Sequence, residues 1–319
     1  MRKGTRLAGA LVVVLLVALT VDASAGAKKR KPPRLPDLTL TEGELTSDHY
    51  MFAGEGSTVS FTDRTKNIGN AKAKRTVTRF VLKVPGARTL AWLLTERPVP
   101  ALKPRESHGG SASKAWTMPM SALGSYISGI CANWNGRVKE KNRKNNCKRP
   151  EEDFGVIPRR IVGTVDGTGP YLSNSGVAET WHGTVTWVFQ ESVPPVYRYA
   201  LERADVSFKT VGTSGDCSFS GEGGLTIVNG GSEDTFQITY GSFNRYLGAA
   251  AIPPGAWPLY PVHVVCAHGG SHDDGGPGNT GWLLTFFKPI SPAHGWTSLS
   301  GSTTSPDGTV TWKWDLKPQ

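Results

Sequence analysis

The chain has 319 residues and a formal charge of +10, with 38 Gly, 22 Pro and four Cys. That length is more than one typical domain needs, and Gly and Pro are scattered without period, which excludes collagen-like and low-complexity chains. The basic balance points to anionic surfaces as partners; nucleic acid is not expected among them.

The N-terminus reads MRKGTRLAGALVVVLLVALTVDASAGAKK. A cationic start, an apolar run over 11–19 and the small-residue triplet Ala23-Ser24-Ala25 are the parts of a secretory signal cut after Ala25. Residues 1–25 are therefore read as a signal peptide, 26–35 as a basic, Pro-containing linker, and the mature protein as secreted. No later run approaches the roughly 20 apolar residues of a membrane-spanning helix, so no transmembrane segment is expected.

After the linker, short segments rich in β-branched and aromatic residues alternate polar with apolar positions: STVSFTD, RTVTRFVLKV, SYISGICAN, ETWHGTVTWVF, ADVSFKTV, DTFQITYG, PVHVVCAHG, GWLLTFF and GTVTWKWDL. None sustains a period near 3.6 with caps, and Gly, Pro and Asn separate them, so the chain is all-β, built from sandwiches or barrels. A change of composition at EEDFGVIPRR (151–160) divides it into residues 36–150 and a second antiparallel β-sandwich or barrel over 155–319. The pentapeptide GTVTW occurs at 183–187 and again at 308–312. It is a common strand opening, or it marks first and last long strands lying side by side.

An even number of cysteines in an exported chain is read as disulfides. Pairing within stretches of similar composition gives Cys131 with Cys147 and Cys217 with Cys266. Between the first two lies NWNGRVKEKNRKNN, where Asn135-Gly136 is a tight-turn signal that predicts a hairpin. Along its returning strand Arg137, Lys139, Lys141 and Arg143 share one face, with Lys144 beside them. This stripe suits an anionic surface, or it protects an open sheet edge.

The order of motifs over residues 35–148 resembles the bacterial cell-adhesion-related domain CARDB. The motifs are Pro36-Asp37-Leu38, the turn Asn67-Ile68-Gly69, Leu102-Lys103-Pro104, Gly124-Ser125-Tyr126, and Val138-Lys139-Glu140 running to Asn145-Asn146. Arg143 stands where the family has a second Glu, and Arg105 where it has Gly, so no role is carried over for that acidic pair. The resemblance implies a seven-stranded immunoglobulin-like β-sandwich and an adhesion-type, cell-surface or envelope interaction. No family is recognised over 155–319.

Reactive chemistry is sparse. Phosphate loops, nucleophile elbows, HExxH and EF-hand patterns are absent from the sequence. His268, His272, Asp273 and Asp274 in AHGGSHDDGG are weak metal candidates, and equally a solvated Gly/Asp loop. Most Trp residues fit strand interiors; Trp134 and Trp257 lie in turn or loop sequence and are candidates for a contact surface. The reading is a binding protein with no catalytic residue and no cofactor, its partner an anionic envelope polymer, a glycan or another surface protein. The alternative is an extracellular hydrolase or enzyme accessory with its site in 155–319.

Overall fold

The structure is a computed structural model that describes residues 33–88, 92–149, 153–171, 174–241, 244–252, 259–276 and 281–319, without the side chains of 174 and 175. The expected signal peptide, most of the expected linker and Trp257 lie outside these residues. The described chain is almost entirely β, with one 3-10 turn at Met120–Ala122 and no α-helix.

The first nine strands are β1 (Leu38–Leu45), β2 (Tyr50–Phe52), β3 (Gly56–Asn67), β4 (Thr76–Lys83), β5 (Trp92–Val99), β6 (Ser107–Thr117), β7 (Gly124–Ala132), β8 (Cys147–Lys148) and β9 (Phe154–Ile157). A three-stranded sheet, β1-β3-β6, faces a second sheet in the order β2-β9-β7-β4-β5, with β8 on β7. The strict alternation of β3 explains the layering: Val59, Phe61, Asp63, Thr65 and Asn67 point inward while Thr62 and Arg64 are exposed. Phe61 meets Phe80 across the sandwich at 6.3 Å. A buried ion pair also joins the layers, Arg97 Nε and Nη2 donating to the two Asp63 oxygens at 2.6 and 2.7 Å. Thr65 and Thr78 complete the satisfaction of that carboxylate.

Eleven further strands follow: β10 (Arg160–Tyr171), β11 (Asn174–Val193), β12 (Val196–Ser214), β13 (Cys217–Val228), β14 (Thr235–Thr239), β15 (Arg245–Ala251), β16 (Tyr260–Cys266), β17 (Gly270–Gly276), β18 (Trp282–Pro289), β19 (Leu299–Thr304) and β20 (Thr311–Pro318). They form one sheet with the path β17-β16-β13-β12-β11-β10-β20-β19. The first residues of β12 pair with β14 and its later residues with β13, so a branch β14-β15-β18 leaves the main path. That branch packs on the inner face, where Phe286 stacks on Trp314 at 4.3 Å and Phe236 meets Trp187 at 5.4 Å. Among the described residues β17 and β19 are outer edges, so the path does not close on itself. The first GTVTW lies within β11, the second is the turn at Gly308 leading into the first two residues of β20, and these two strands flank β10, with β20 pairing with it along its length.

Phe154–Ile157, at the expected domain boundary, is a strand of the N-terminal sheet. It pairs parallel with β2 and antiparallel with β7, which is why all four residues are buried. No ladder pairs a strand before Pro158 with one after it among the described residues; the isolated bridge Gly124↔His294 does cross. Around that junction Tyr50 and Phe52 pack on Phe189, and Arg159 lies over Phe52 while making a bidentate contact with Glu55.

Candidate functional site

Strand register gathers four loops at one end of the N-terminal sandwich. Leu38 lies opposite Asn67, Lys66 opposite Ser107, Thr76 opposite Val99 and Thr78 opposite Ala132. Residues 34–37, 68–75, 100–106 and 133–146 therefore project from the same pole. Beneath them Leu38, Ala73, Val99, Leu102 and Val138 form a small separate core.

Two side chains hold the loops together. Asn67 donates from Nδ2 to the carbonyls of Ala71, Leu102 and Lys103 at 2.8, 3.1 and 3.2 Å, and its Oδ1 accepts from the N–H of Asp37 and Gly69. Gly69 fits because a Cβ there would collide with the backbone of residues 35–37. Glu140, the only acid of the 133–146 loop, accepts the Leu38 N–H at 2.6 Å, the Asn146 amide at 2.8 Å and the Asn133 amide. Asn133, at φ 46°, exchanges hydrogen bonds with both the N–H and the C=O of Val138. Thr76 donates to Asn133 at 3.0 Å, and the Lys141 N–H reaches the Pro36 carbonyl at 2.9 Å. The disulfide between Cys131 and Cys147 closes the loop at its base.

The expected hairpin is absent. Asn135-Gly136 does turn, with the Gly136 N–H on the Asn133 carbonyl at 2.9 Å, but no strand returns until Cys147. The chain is instead drawn across the pole to β1 by Glu140 and Lys141. Arg137, Lys139, Lys141, Arg143 and Lys144 are all exposed, not as a strand stripe but distributed over an irregular loop. Trp134, 37 % exposed, lies in the Asn133–Gly136 turn that follows β7.

The other loops add cations that were not among the sequence-derived binding candidates: Lys72, Lys74 and Arg75 in one, Lys103 and Arg105 of the Leu102-Lys103-Pro104 turn in another, and Arg34 before β1, all exposed. Their signal was present in KAKR and KPR, within the very turns that carry the family motifs. Acids offset them only in part: Asp37, Glu106 and Glu140 are the three acids of these loops against eleven cations, and each accepts hydrogen bonds from neutral donors rather than pairing with a cation. Among the described residues none of the cations of these four loops has an ion-pair partner. Elsewhere Arg64, Arg79, Arg97, Arg149, Arg159, Arg160, Arg198, Arg203 and Lys209 are paired, while the scattered Lys66, Lys83, Lys114, Lys148, Lys288, Lys313 and Lys317 have no ion-pair partner among the described residues either, so it is the clustering that distinguishes the pole.

The metal candidates do not converge. His268 faces Asp216 at 3.1 Å, Asp273 faces His263 at 2.8 Å, and strand alternation sends His272 and Asp274 to the opposite face of β17 from Asp273. Asp216 with Cys217 and Cys266 is the donor cluster found among the described residues, and its sulfurs are consumed by the second disulfide.

A different polar row lies on the outer face of the large sheet, in a shallow depression of about 550 Å³. There Asp166, His182 and Ser207 sit side by side on β10, β11 and β12. His182 Nδ1 is 2.6 Å from Asp166 Oδ1, while Ser207 Oγ donates to the His182 carbonyl at 3.1 Å.

No protein-family model and no curated protein matches the chain. Among solved structures it is similar to the CARDB domain of the PF1109 protein from Pyrococcus furiosus, crystallised in complex with di-metal ions. The identity is 21 % over 39 % of this chain and 90 % of that one, with a TM-score of 0.27. The solution structure of the same domain matches with equal identity and TM-score over 98 % of its length.

Proposed function

We propose that the protein is secreted and acts by binding, holding an anionic component of the cell envelope through the cationic pole of its N-terminal sandwich. The observation that carries this reading is the clustering of eleven cations (Arg34, Lys72, Lys74, Arg75, Lys103, Arg105, Arg137, Lys139, Lys141, Arg143 and Lys144), none with an ion-pair partner among the described residues, on the loops of one end. Charges left unpaired on one end repel each other and cost stability, so a partner of opposite charge is the economical use for them. The loops are held by Asn67, Glu140 and a disulfide, so the charge pattern is preorganised and little ordering is required on binding.

The test is retention of the protein on isolated envelopes as ionic strength is raised. Exposed charges are screened over about 8 Å at 0.15 M salt, so binding should weaken steeply between low and physiological salt. The combined variant Lys139→Ser, Lys141→Ser, Arg143→Ser and Lys144→Ser should lose retention while its melting temperature stays within a few degrees. Undiminished retention would remove the pole from consideration.

The alternative, an extracellular hydrolase, finds its support in the Asp166–His182–Ser207 row. In that row the Ser207 hydroxyl is turned to a carbonyl rather than offered to the imidazole. The surrounding backbone N–H groups belong to strand ladders, leaving no donor pair for an oxyanion. Labelling of Ser207 by a fluorophosphonate probe would favour the enzyme reading over the binding one.

A further inference from the structure

Among the cations of the pole stand two exposed apolar side chains, Ile68 at 50 % and Trp134 at 37 % exposure. Ile68 follows β3 in the loop whose Asn67 anchors the pole, and Trp134 is carried by the turn that Thr76 ties to β4 through Asn133 and Asn135. Both therefore lie on loops of the same end, held by these hydrogen bonds and by that of the Ile68 N–H to the Asp37 carbonyl, and the same two loops carry the exposed Lys72, Lys74, Arg137 and Lys139.

A soluble polyanion has no use for these two side chains, and it is best held in a groove lined with cations. The pole has the opposite shape: four loops project from the end of a sandwich. Among the described residues, three concavities, lined by Asp166 and His182, by residues 44–59, and by Asp63 and Gly110, involve other parts of the molecule. Cations spread over a projecting end, with an indole and an aliphatic group between them, match the chemistry of an anionic bilayer surface. Lipid phosphates lie outermost there, and Trp is at home at headgroup depth.

We infer that the cationic pole docks on a bilayer rich in anionic headgroups, its loop cations meeting lipid phosphates while Trp134 and Ile68 enter the interfacial layer. This rests on the binding function proposed above and specifies its ligand as lipid. The junction with the second part of the chain is at the other end of the sandwich, where Gly124 meets His294 and Glu55 meets Arg159, so docking leaves the large sheet free.

Partitioning of the full chain onto vesicles of phosphatidylcholine and phosphatidylglycerol in equal parts tests the inference, with polyphosphate as the soluble polyanion. Sedimentation should carry the protein down with these vesicles and not with phosphatidylcholine alone. Removing the four cations of residues 139–144 should lower vesicle partitioning by about a hundredfold or more, since each surface cation contributes roughly fivefold. The double variant Ile68→Ser, Trp134→Ser should lower it about tenfold more than it lowers polyphosphate binding, because only the bilayer accepts apolar groups. Brominated lipid should quench the native protein more than the Trp134→Phe variant, which keeps an aromatic ring in that turn and guards against misfolding as the cause. Binding to polyphosphate but not to vesicles, or equal loss in both assays for the double variant, overturns the bilayer inference and leaves the binding function standing. Binding to neither overturns both.

Discussion

At the scale of single residues, the pole depends on one carboxylate. Glu140 accepts from a backbone N–H of β1 and from two asparagines of its own loop, so it fixes where the chain goes after Val138. Hydrogen bonds to a charged group contribute about 1.5–3 kcal/mol each, and leaving their donors unsatisfied adds to the loss. Glu140→Ala should therefore destabilise the protein by about 2–4 kcal/mol in urea unfolding, whereas Lys139→Ser, two atoms of backbone away but exposed, should change it by less than about 0.5 kcal/mol. Asp63→Ala should cost about 3–5 kcal/mol, because Arg97 would be left buried without its counter-charge. The cations of residues 137–144 were legible in the sequence, but their geometry was not. Asn135-Gly136 correctly signals a turn, yet a hairpin needs a returning strand. After Val138 the segment KEKNRKNN has no β-branched or aromatic residue to make one, and Glu140 and Asn133 offer the backbone other partners.

At the scale of elements, the strands themselves were readable because most bury one face, as in β3 and β20, where Trp312, Trp314 and Leu316 alternate with exposed Lys313, Asp315 and Lys317. One exception is β9, four consecutive buried residues between β2 and β7, where the period of two disappears and the segment reads as a boundary. Its position makes a direct prediction. A chain ended after Pro158 should be clearly more stable than one ended at 152, since the shorter one leaves β7 and β2 without their shared partner; equal stability in guanidinium would contradict the pairing. The bridge between Cys131 and Cys147 spans 16 residues, and its replacement by two alanines should lower stability by about 3 kcal/mol on the loop-entropy account. The branch β14-β15-β18 could not be anticipated from local pattern, because it arises from β12 changing partners midway along its length.

At the scale of the whole molecule, a continuous aromatic core runs from Tyr50 and Phe52 through Tyr197, Tyr199 and Tyr240 to Phe286 and Trp314. Burial raises the hydroxyl pKa of Tyr199 and Tyr240, and likewise of Tyr171, Tyr246 and Tyr260. A group whose folded pKa lies above its unfolded value of about 10 gives full stability below that pH and loses it as pH rises further. Stability should thus be flat toward neutral pH from the tyrosines' standpoint. Above pH 10 it should fall by about 1.4 kcal/mol per pH unit for each buried tyrosine, with tyrosinate absorbance appearing together with unfolding rather than before it.

The central claim is that one end of this molecule, and not its overall basicity, makes contact with the anionic partner. Amine-reactive labelling of the protein with and without isolated envelopes, read by mass spectrometry at each lysine, tests it most directly. Lys72, Lys74, Lys103, Lys139, Lys141 and Lys144 should be protected together, while Lys209, Lys313 and Lys317 on the large sheet label at the same rate in both states. Uniform protection of all lysines, or protection confined to the large sheet, would contradict the account.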